Sequence, residues 1–185
     1  MVINEILFGQ TVLFINGLDK VLSAKTFGVE FRSIQEPTTE VTVRGAKDSF
    51  VESIKTNISL VRRKVKSKDL RVNTVQLGNI TQTTIAVIHV EEVANPKIVQ
   101  EVMERINTID IDSIQSSANV EELIQDATFT PFPTVFNTER PDVVCGALLE
   151  GRVAIVVEGT PFVLIVPTTL PQLFKSAEDY YQRWD

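Results

Sequence analysis

A pattern of eleven residues occurs twice in this chain, and it constrains the fold more than any other feature. Leu7-Phe8-Gly9-Gln10-Thr11-Val12-Leu13-Phe14-Ile15-Asn16-Gly17 and Leu149-Glu150-Gly151-Arg152-Val153-Ala154-Ile155-Val156-Val157-Glu158-Gly159 share a leucine, a glycine two residues on, an apolar run, and a second glycine eight residues after the first. The offset between them is 142 residues throughout. A second apolar stretch follows each, over 20–27 and 162–167. Gly9 and Gly151 stand where a helix would end in the left-handed conformation that glycine tolerates. Asn16-Gly17 is a strong two-residue hairpin turn, and Glu158-Gly159 is a weaker version of it. Each unit therefore reads as helix end, strand, tight turn, strand. The second unit has helices and strands ahead of it from residue 41 on, whereas only eight residues precede Gly9. The expected division is a remnant of a first subdomain over 1–35, a second α/β subdomain over 36–174, and a polar, aromatic tail over 175–185.

Between the units, Glu36-Pro37-Thr38-Thr39-Glu40 reads as a connection, because a residue before proline is pushed toward extended geometry; it runs into a strand over 41–44. A helix is expected from Ser49, where Ser49-x-x-Glu52 fits a capping box and Phe50, Ile54, Ile58, Val61 and Val65 share one face. Asn57 lies on or near that stripe, so it is either hydrogen-bonded and partly buried or part of a contact surface. Strands over 70–77 and 81–90 follow, joined through Gly78-Asn79. The second is apolar on both faces from Ile85 to Val90, as in a central strand covered on both sides. Asn95-Pro96 caps and opens a helix that aligns Ile98, Val102 and Ile106. Asp110-Ile111-Asp112 reads as a short edge strand or a turn. Residues 117–126 read as a helix with Val120, Leu123 and Ile124 inward. Pro131-Phe132-Pro133 is a rigid loop, and Thr138 is expected to cap a helix over 139–149. The fold class is α+β (α/β): a mixed sheet packed by helices, with a crossover open at the 95–106 helix, in two subdomains of which the first is incomplete.

The chemistry of catalysis is sparsely represented. Cys145 and His89 are single residues of their kind, which rules out an internal disulfide and leaves no metal-ligand spacing. Cys145 reads as packing and His89 as a strand residue. Two aspartates, Asp110 and Asp112, without further ligands nearby do not make a cation site. No glycine-rich phosphate loop follows a strand, and the Gly-x-Ser-x-Gly, His-Glu-x-x-His and Cys-x-x-Cys patterns are absent. No enzyme, cofactor or metal is expected. A net charge of −6 argues against a nucleic-acid face. The basic run Arg62, Arg63, Lys64, Lys66 and Lys68 falls where a helix ends, a place the helix dipole favours for cations. No signal peptide is visible, and no stretch reaches the roughly 18 uninterrupted apolar residues of a membrane span.

What remains are polar clusters in loops, the usual seat of binding: Glu36, Glu40 and Arg44; Asn57 with Arg62 and Arg63; Glu139, Arg140 and Asp142. Each reads equally as caps and local ion pairs. In the same order, Glu36-Pro37-x-x-Glu40, Arg44-Gly45, Asn57 with Arg62-Arg63, Phe132-Pro133, Thr138-Glu139-Arg140-Pro141-Asp142, Leu149-Glu150-Gly151-Arg152-Val153 and Glu158-Gly159-Thr160-Pro161 stand along the chain. This series resembles the A subunits of the GerA family of spore germinant receptors, over roughly residues 5–184. One departure is Ala46-Lys47-Asp48-Ser49, where family members often carry Pro-Arg-Glu-Gly before the phenylalanine. The resemblance implies a soluble region of two α/β subdomains, followed by membrane-spanning helices to which 175–185 would be the juxtamembrane tail. On that reading most of the first subdomain and the whole membrane part lie outside this chain. It also implies B and C subunits as partners in the inner membrane of a dormant spore, with homo-oligomerisation left open. Two roles follow: sensing a small nutrient (amino acid, sugar or nucleoside) near a cleft between lobes, or coupling and assembly through the three clusters.

Overall fold

The computed structural model of the chain describes residues 2–7, 10–18, 20–24, 46, 48–125 and 133–173. In chain order the elements are α1 (Val2–Leu7), β1 (Thr11–Leu13), β2 (Leu22–Ala24), α2 (Ile54–Lys64), β3 (Leu70–Leu77), β4 (Thr83–Val90), α3 (Pro96–Asn107), α4 (Ser117–Ile124), β5 (Phe136–Thr138), α5 (Pro141–Leu149), β6 (Val153–Val157), β7 (Val163–Val166) and α6 (Leu170–Leu173). β1 and β2 form a two-stranded sheet, and the other five strands form one sheet in the order β3-β4-β6-β7-β5.

Strands β4 and β6 are apolar on both faces because both faces are covered. On one side Ala86, Ile88, Ala154 and Val156 pack against Leu60 and Val61 of α2 and Val144 and Leu148 of α5. On the other, Ile85, Val87, Ile155 and Leu164 meet Val102 and Ile106 of α3 and Val120 and Ile124 of α4. The result is three layers, helices–sheet–helices, with β-branched residues in the middle one. A fully buried Val, Leu or Ile is worth about 1.5–3 kcal/mol, so these two cores hold the domain together. The α+β architecture is the one the sequence indicates. Every pairing is antiparallel, β4 with β6 included, so the helix opened by Asn95 serves no parallel crossover.

The repeated pattern is reproduced in three dimensions. Thr11 pairs with Ala24, Val12 with Ser23 and Leu13 with Leu22. Shifted by the same offset these become Val153 with Val166, Ala154 with Ile165 and Ile155 with Leu164, which are the pairs of β6 and β7. Each hairpin follows a helix that ends on the equivalent leucine, Leu7 or Leu149. The amide of Gln10 donates to the carbonyl of Glu5 and that of Arg152 to Ala147, both at 3.0 Å. This is the closure of a helix end on a left-handed residue, here Gly151 at φ +85°. Both turns need a left-handed residue as well, met by Gly17 at φ +88° and Gly159 at φ +87°.

Several local expectations change. The helix drawn from Ser49 begins only at Ile54, with Ser53 as its N-cap, because residues 48–53 bond elsewhere. The helix expected from Glu139 begins at Pro141, with Arg140 as N-cap. Thr138 ends β5 and its hydroxyl accepts from the amide of Arg140 at 3.1 Å, so it closes the turn before the helix and does not cap it. Asp110-Ile111-Asp112 is loop, held by amides of Asn79 and Ile80 donating to the carbonyls of Ile111 and Asp112. Leu123 is 45% exposed while Val120 and Ile124 are buried, since α4 offers the core a narrow stripe. The strand expected over 41–44 and most of the loop at Pro131-Phe132-Pro133 lie outside the described residues. Among the described residues no helix is long and apolar enough to cross a membrane.

Candidate functional site

Two features stand out once the layers are in place: a polar junction on the α2–α5 side and a cavity on the α3–α4 side. The junction forms where the segment before α2 crosses the start of α5. The amide of Phe50 donates to the carbonyl of Glu139 at 2.8 Å, and the hydroxyl of the buried Ser49 reaches that carbonyl at 3.2 Å and a carboxylate oxygen of Glu139 at 3.4 Å. Asn57 is 0% exposed and clamps the loop from inside α2. Its Oδ1 accepts from the Val51 amide at 2.9 Å and its Nδ2 donates to the Val51 carbonyl at 2.6 Å.

The turn of the second hairpin completes the junction. The amide of Gly159 donates to the carbonyl of Glu52 at 2.8 Å, and the Glu158 carboxylate accepts from the Ile54 amide at 3.0 Å. That places a negative charge on the first turn of α2, where unpaired amides and the helix dipole favour it. Asp48 meets Lys64 at 2.9 Å at the other end of the same helix.

Arg140 is the largest fully buried side chain among the described residues, and its guanidinium forks onto Asp142 at 2.7 and 3.3 Å. A bidentate partner of this kind is what allows an arginine to leave water. The junction thus brings together Asn57, Glu139, Arg140 and Asp142. It does not include Arg62 and Arg63, which are exposed in the last turn of α2. Glu36, Glu40 and Arg44 lie outside the described residues. Ser49 and Glu158 were not legible as members. Ser49 looked like a helix cap and Glu158 like a turn residue, and their roles depend on partners about 90 and 104 positions away. Chemically the junction is a clamp. Its polar atoms bond to one another and to backbone.

The cavity has a volume of about 620 Å³ and lies between α3, the end of α4, residues 133–135 and the segment leading from β7 into α6. Its floor is apolar, made by Val102, Val135 and Val166. Lys97, Glu101 and Arg105 of α3 and Thr134, Thr168 and Thr169 supply its polar lining. Arg105 donates from Nε to Glu101 at 2.7 Å and from Nη1 to the carbonyl of Ile124 at 2.7 Å. The spacing of Ile98, Val102 and Ile106 marked α3 as a core helix, but a cavity lined by four separate segments is not legible in local spacing.

Cys145 packs in the α2–α5 core, and His89 is a residue of β4. Burial pushes the Cys145 thiol up to about 12, helped by Asp142 and Asp48 and opposed by Lys64, so it stays a neutral thiol. Burial holds the His89 imidazole below its ordinary value, with Glu91 opposing and Arg71 assisting. Among the described residues no group of three or more His, Cys, Asp or Glu converges as metal ligands would.

The family model for the Bacillus/Clostridium GerA spore germination protein matches residues 1–185, the full length of the chain. The chain belongs to the GerA family. It is 50% identical over 182 residues to spore germination protein KA of Bacillus subtilis (strain 168), covering 98% of this chain and 34% of that protein. It is 44% identical over 182 residues to spore germination protein A1 of the same organism, covering 98% and 38%. It thus spans little more than a third of these curated GerA relatives. The crystal structure of the N-terminal domain of the A subunit of the Bacillus megaterium spore germinant receptor GerK3 superposes with a TM-score of 0.67 at 43% identity, covering 91% of this chain and 60% of that one. The three layers described above thus match those of the N-terminal domain of that receptor's A subunit.

Proposed function

We propose that this chain is the coupling module of a germinant receptor, the part of the A subunit that touches the B and C subunits at the spore inner membrane. The observation that carries this reading is the contrast between the twin hairpins. Leu13 and Leu22 are 53% and 58% exposed, while their counterparts Ile155 and Leu164 are fully buried. Phe14 at 71% and Leu18 at 60% are exposed as well, as are Ile3 and Ile6 of α1. Large apolar side chains left exposed together in one short stretch of chain are a mark of a contact site. Arg62 and Arg63, exposed at the end of α2, are further interface candidates; Glu36, Glu40 and Arg44 join them as sequence candidates. Asn57, Glu139, Arg140 and Asp142 fit the role of stiffening the module so that a push at one face reaches the other. The test is a photo-crosslinking residue at Phe14 or Leu22 of the full-length A subunit in receptor-bearing membranes. Crosslinks to B or C are expected, with none from the exposed Gln100 on α3. Crosslinks confined to the A subunit itself would remove this reading.

A second reading, reception of a small nutrient, is favoured by the cavity and not by the polar junction, whose groups are already engaged with one another. A thermal-shift screen against amino acids, sugars and nucleosides tests it, since a ligand at 100 times its Kd stabilises the fold by about 2.7 kcal/mol.

A further inference from the structure

We propose that the cavity beside α3 is a binding site for a small amphipathic carboxylate, an anionic head on an aliphatic or aromatic body of about six to ten carbon atoms. The site goes beyond the coupling role and stands whether or not that role is correct. Its volume, about 620 Å³, falls within the roughly 300–1,000 Å³ of small-molecule pockets. Its floor sets the body of the ligand. Val102, Val135 and Val166 offer no hydrogen-bonding side-chain atom, so a sugar or nucleoside would bury hydroxyls there without partners, at a cost. A hydrocarbon body loses nothing on that surface.

The mouth sets the head. Lys97, Glu101 and Arg105 are four residues apart on α3, so they line one face of the helix along the edge of the cavity. Arg105 Nε bonds to Glu101, and the bond from Arg105 Nη1 to the carbonyl of Ile124 fixes the guanidinium against α4. Lys97 has no carboxylate within ion-pair distance among the described residues. Among the described residues that line the cavity, two cations, Lys97 and Arg105, stand against one anion, Glu101. An anion is favoured there and an amine is not. The hydroxyls of Thr134, Thr168 and Thr169, which also line the cavity, are further donors.

The experiment is isothermal titration of the 185-residue chain with 4-phenylbutanoate, with 4-phenylbutanamide as the uncharged isostere and glucose as the polar control. The acid should bind saturably at one site, the amide at least about tenfold more weakly, and glucose not at all. Lys97→Glu, an exposed change that spares the core, should weaken the acid by about tenfold or more and leave the amide unchanged. Raising the ionic strength should weaken the acid alone. Ile98→Trp, which crowds the cavity, should abolish both, with the thermal melt confirming a folded chain. No saturable binding of the acid to folded protein would overturn the proposal. So would equal affinities for acid and amide, or a Lys97→Glu variant that binds the acid as the parent does. None of these readouts involves another receptor subunit, so the coupling role can fail separately.

Discussion

Asn57 has no contact with solvent and commits both ends of its amide to Val51, one turn before its own helix. The side chain acts as a short strand would, pairing an N–H and a C=O that the loop otherwise leaves open. Replacing it with alanine removes one partner from each of those groups in a partly buried place. Asn57→Ala is expected to cost about 1–3 kcal/mol. Urea unfolding checks this: the midpoint should fall while the slope stays that of the parent. An unchanged midpoint would mean that water replaces the amide at no cost. His89 makes a different statement at the same scale. Burial disfavours its imidazolium, and its Nδ1 finds no partner among the described residues. The unfolded chain therefore takes up this proton first as pH falls through the ordinary value of 6.5. The His89 contribution is fully present above that pH, declines below it, and levels off once the folded chain binds the proton as well. His89→Gln should flatten the loss of stability between about pH 6.5 and pH 5, above the range where most carboxylates titrate. Equal slopes in parent and variant would assign the acid sensitivity to other groups.

At the scale of elements, the start of α2 shows where reading a sequence succeeds and where it stops. The apolar stripe of Ile54, Val61 and Val65 was legible because helix periodicity is local, and these residues are buried as expected. The capping box at Ser49 was not a cap, because Ser49 and Phe50 are bound to Glu139 and the helix amide at Ile54 takes its acceptor from Glu158. Local pattern carries no information about a partner 104 residues away. For the same reason β5 escaped notice: three residues become a strand only through pairing with β7. The hairpins, in contrast, were readable from glycine positions alone, since a left-handed turn residue is a local demand. Of the candidate site, Asn57 and the Glu139–Asp142 stretch came together, whereas Arg62 and Arg63 separated from Asn57 because they leave the helix on its exposed side. A remote cap is testable. Glu158→Ala should destabilise the chain by about 0.5–2 kcal/mol, the usual value of an N-cap. Ser53 makes no side-chain cap bond, so Ser53→Asp in the Glu158→Ala background should restore part of that loss by supplying the acceptor locally. Urea midpoints of parent, single and double variants measure both steps, and a double variant no more stable than Glu158→Ala would show that the carboxylate acts other than as a cap.

For the whole molecule, the uneven distribution of burial predicts an uneven distribution of stability. Every residue of β6 and β7 and the run from Ile85 to Val90 in β4 is buried between two apolar layers. Their backbone bonds open only when the layers part, so their amides should exchange with solvent at the rate set by global unfolding. β1 and β2 have the same register but little cover, with burial limited to the partly covered Val12. Opening them exposes little new apolar surface, and local fluctuation suffices. Hydrogen exchange followed by mass spectrometry should find the β4, β6 and β7 amides slowest and those of β1 and β2 faster by at least about a hundredfold. The same experiment separates the two proposed contacts. A bound carboxylate should slow exchange in α3 and at the end of β7, leaving the first hairpin as it was. Neighbouring receptor subunits should slow exchange in α1, β1 and β2. Uniform protection across both hairpins in the free chain would make α1–β1–β2 part of one cooperative unit, and the exposed leucines would then have to be held by something stronger than their own burial.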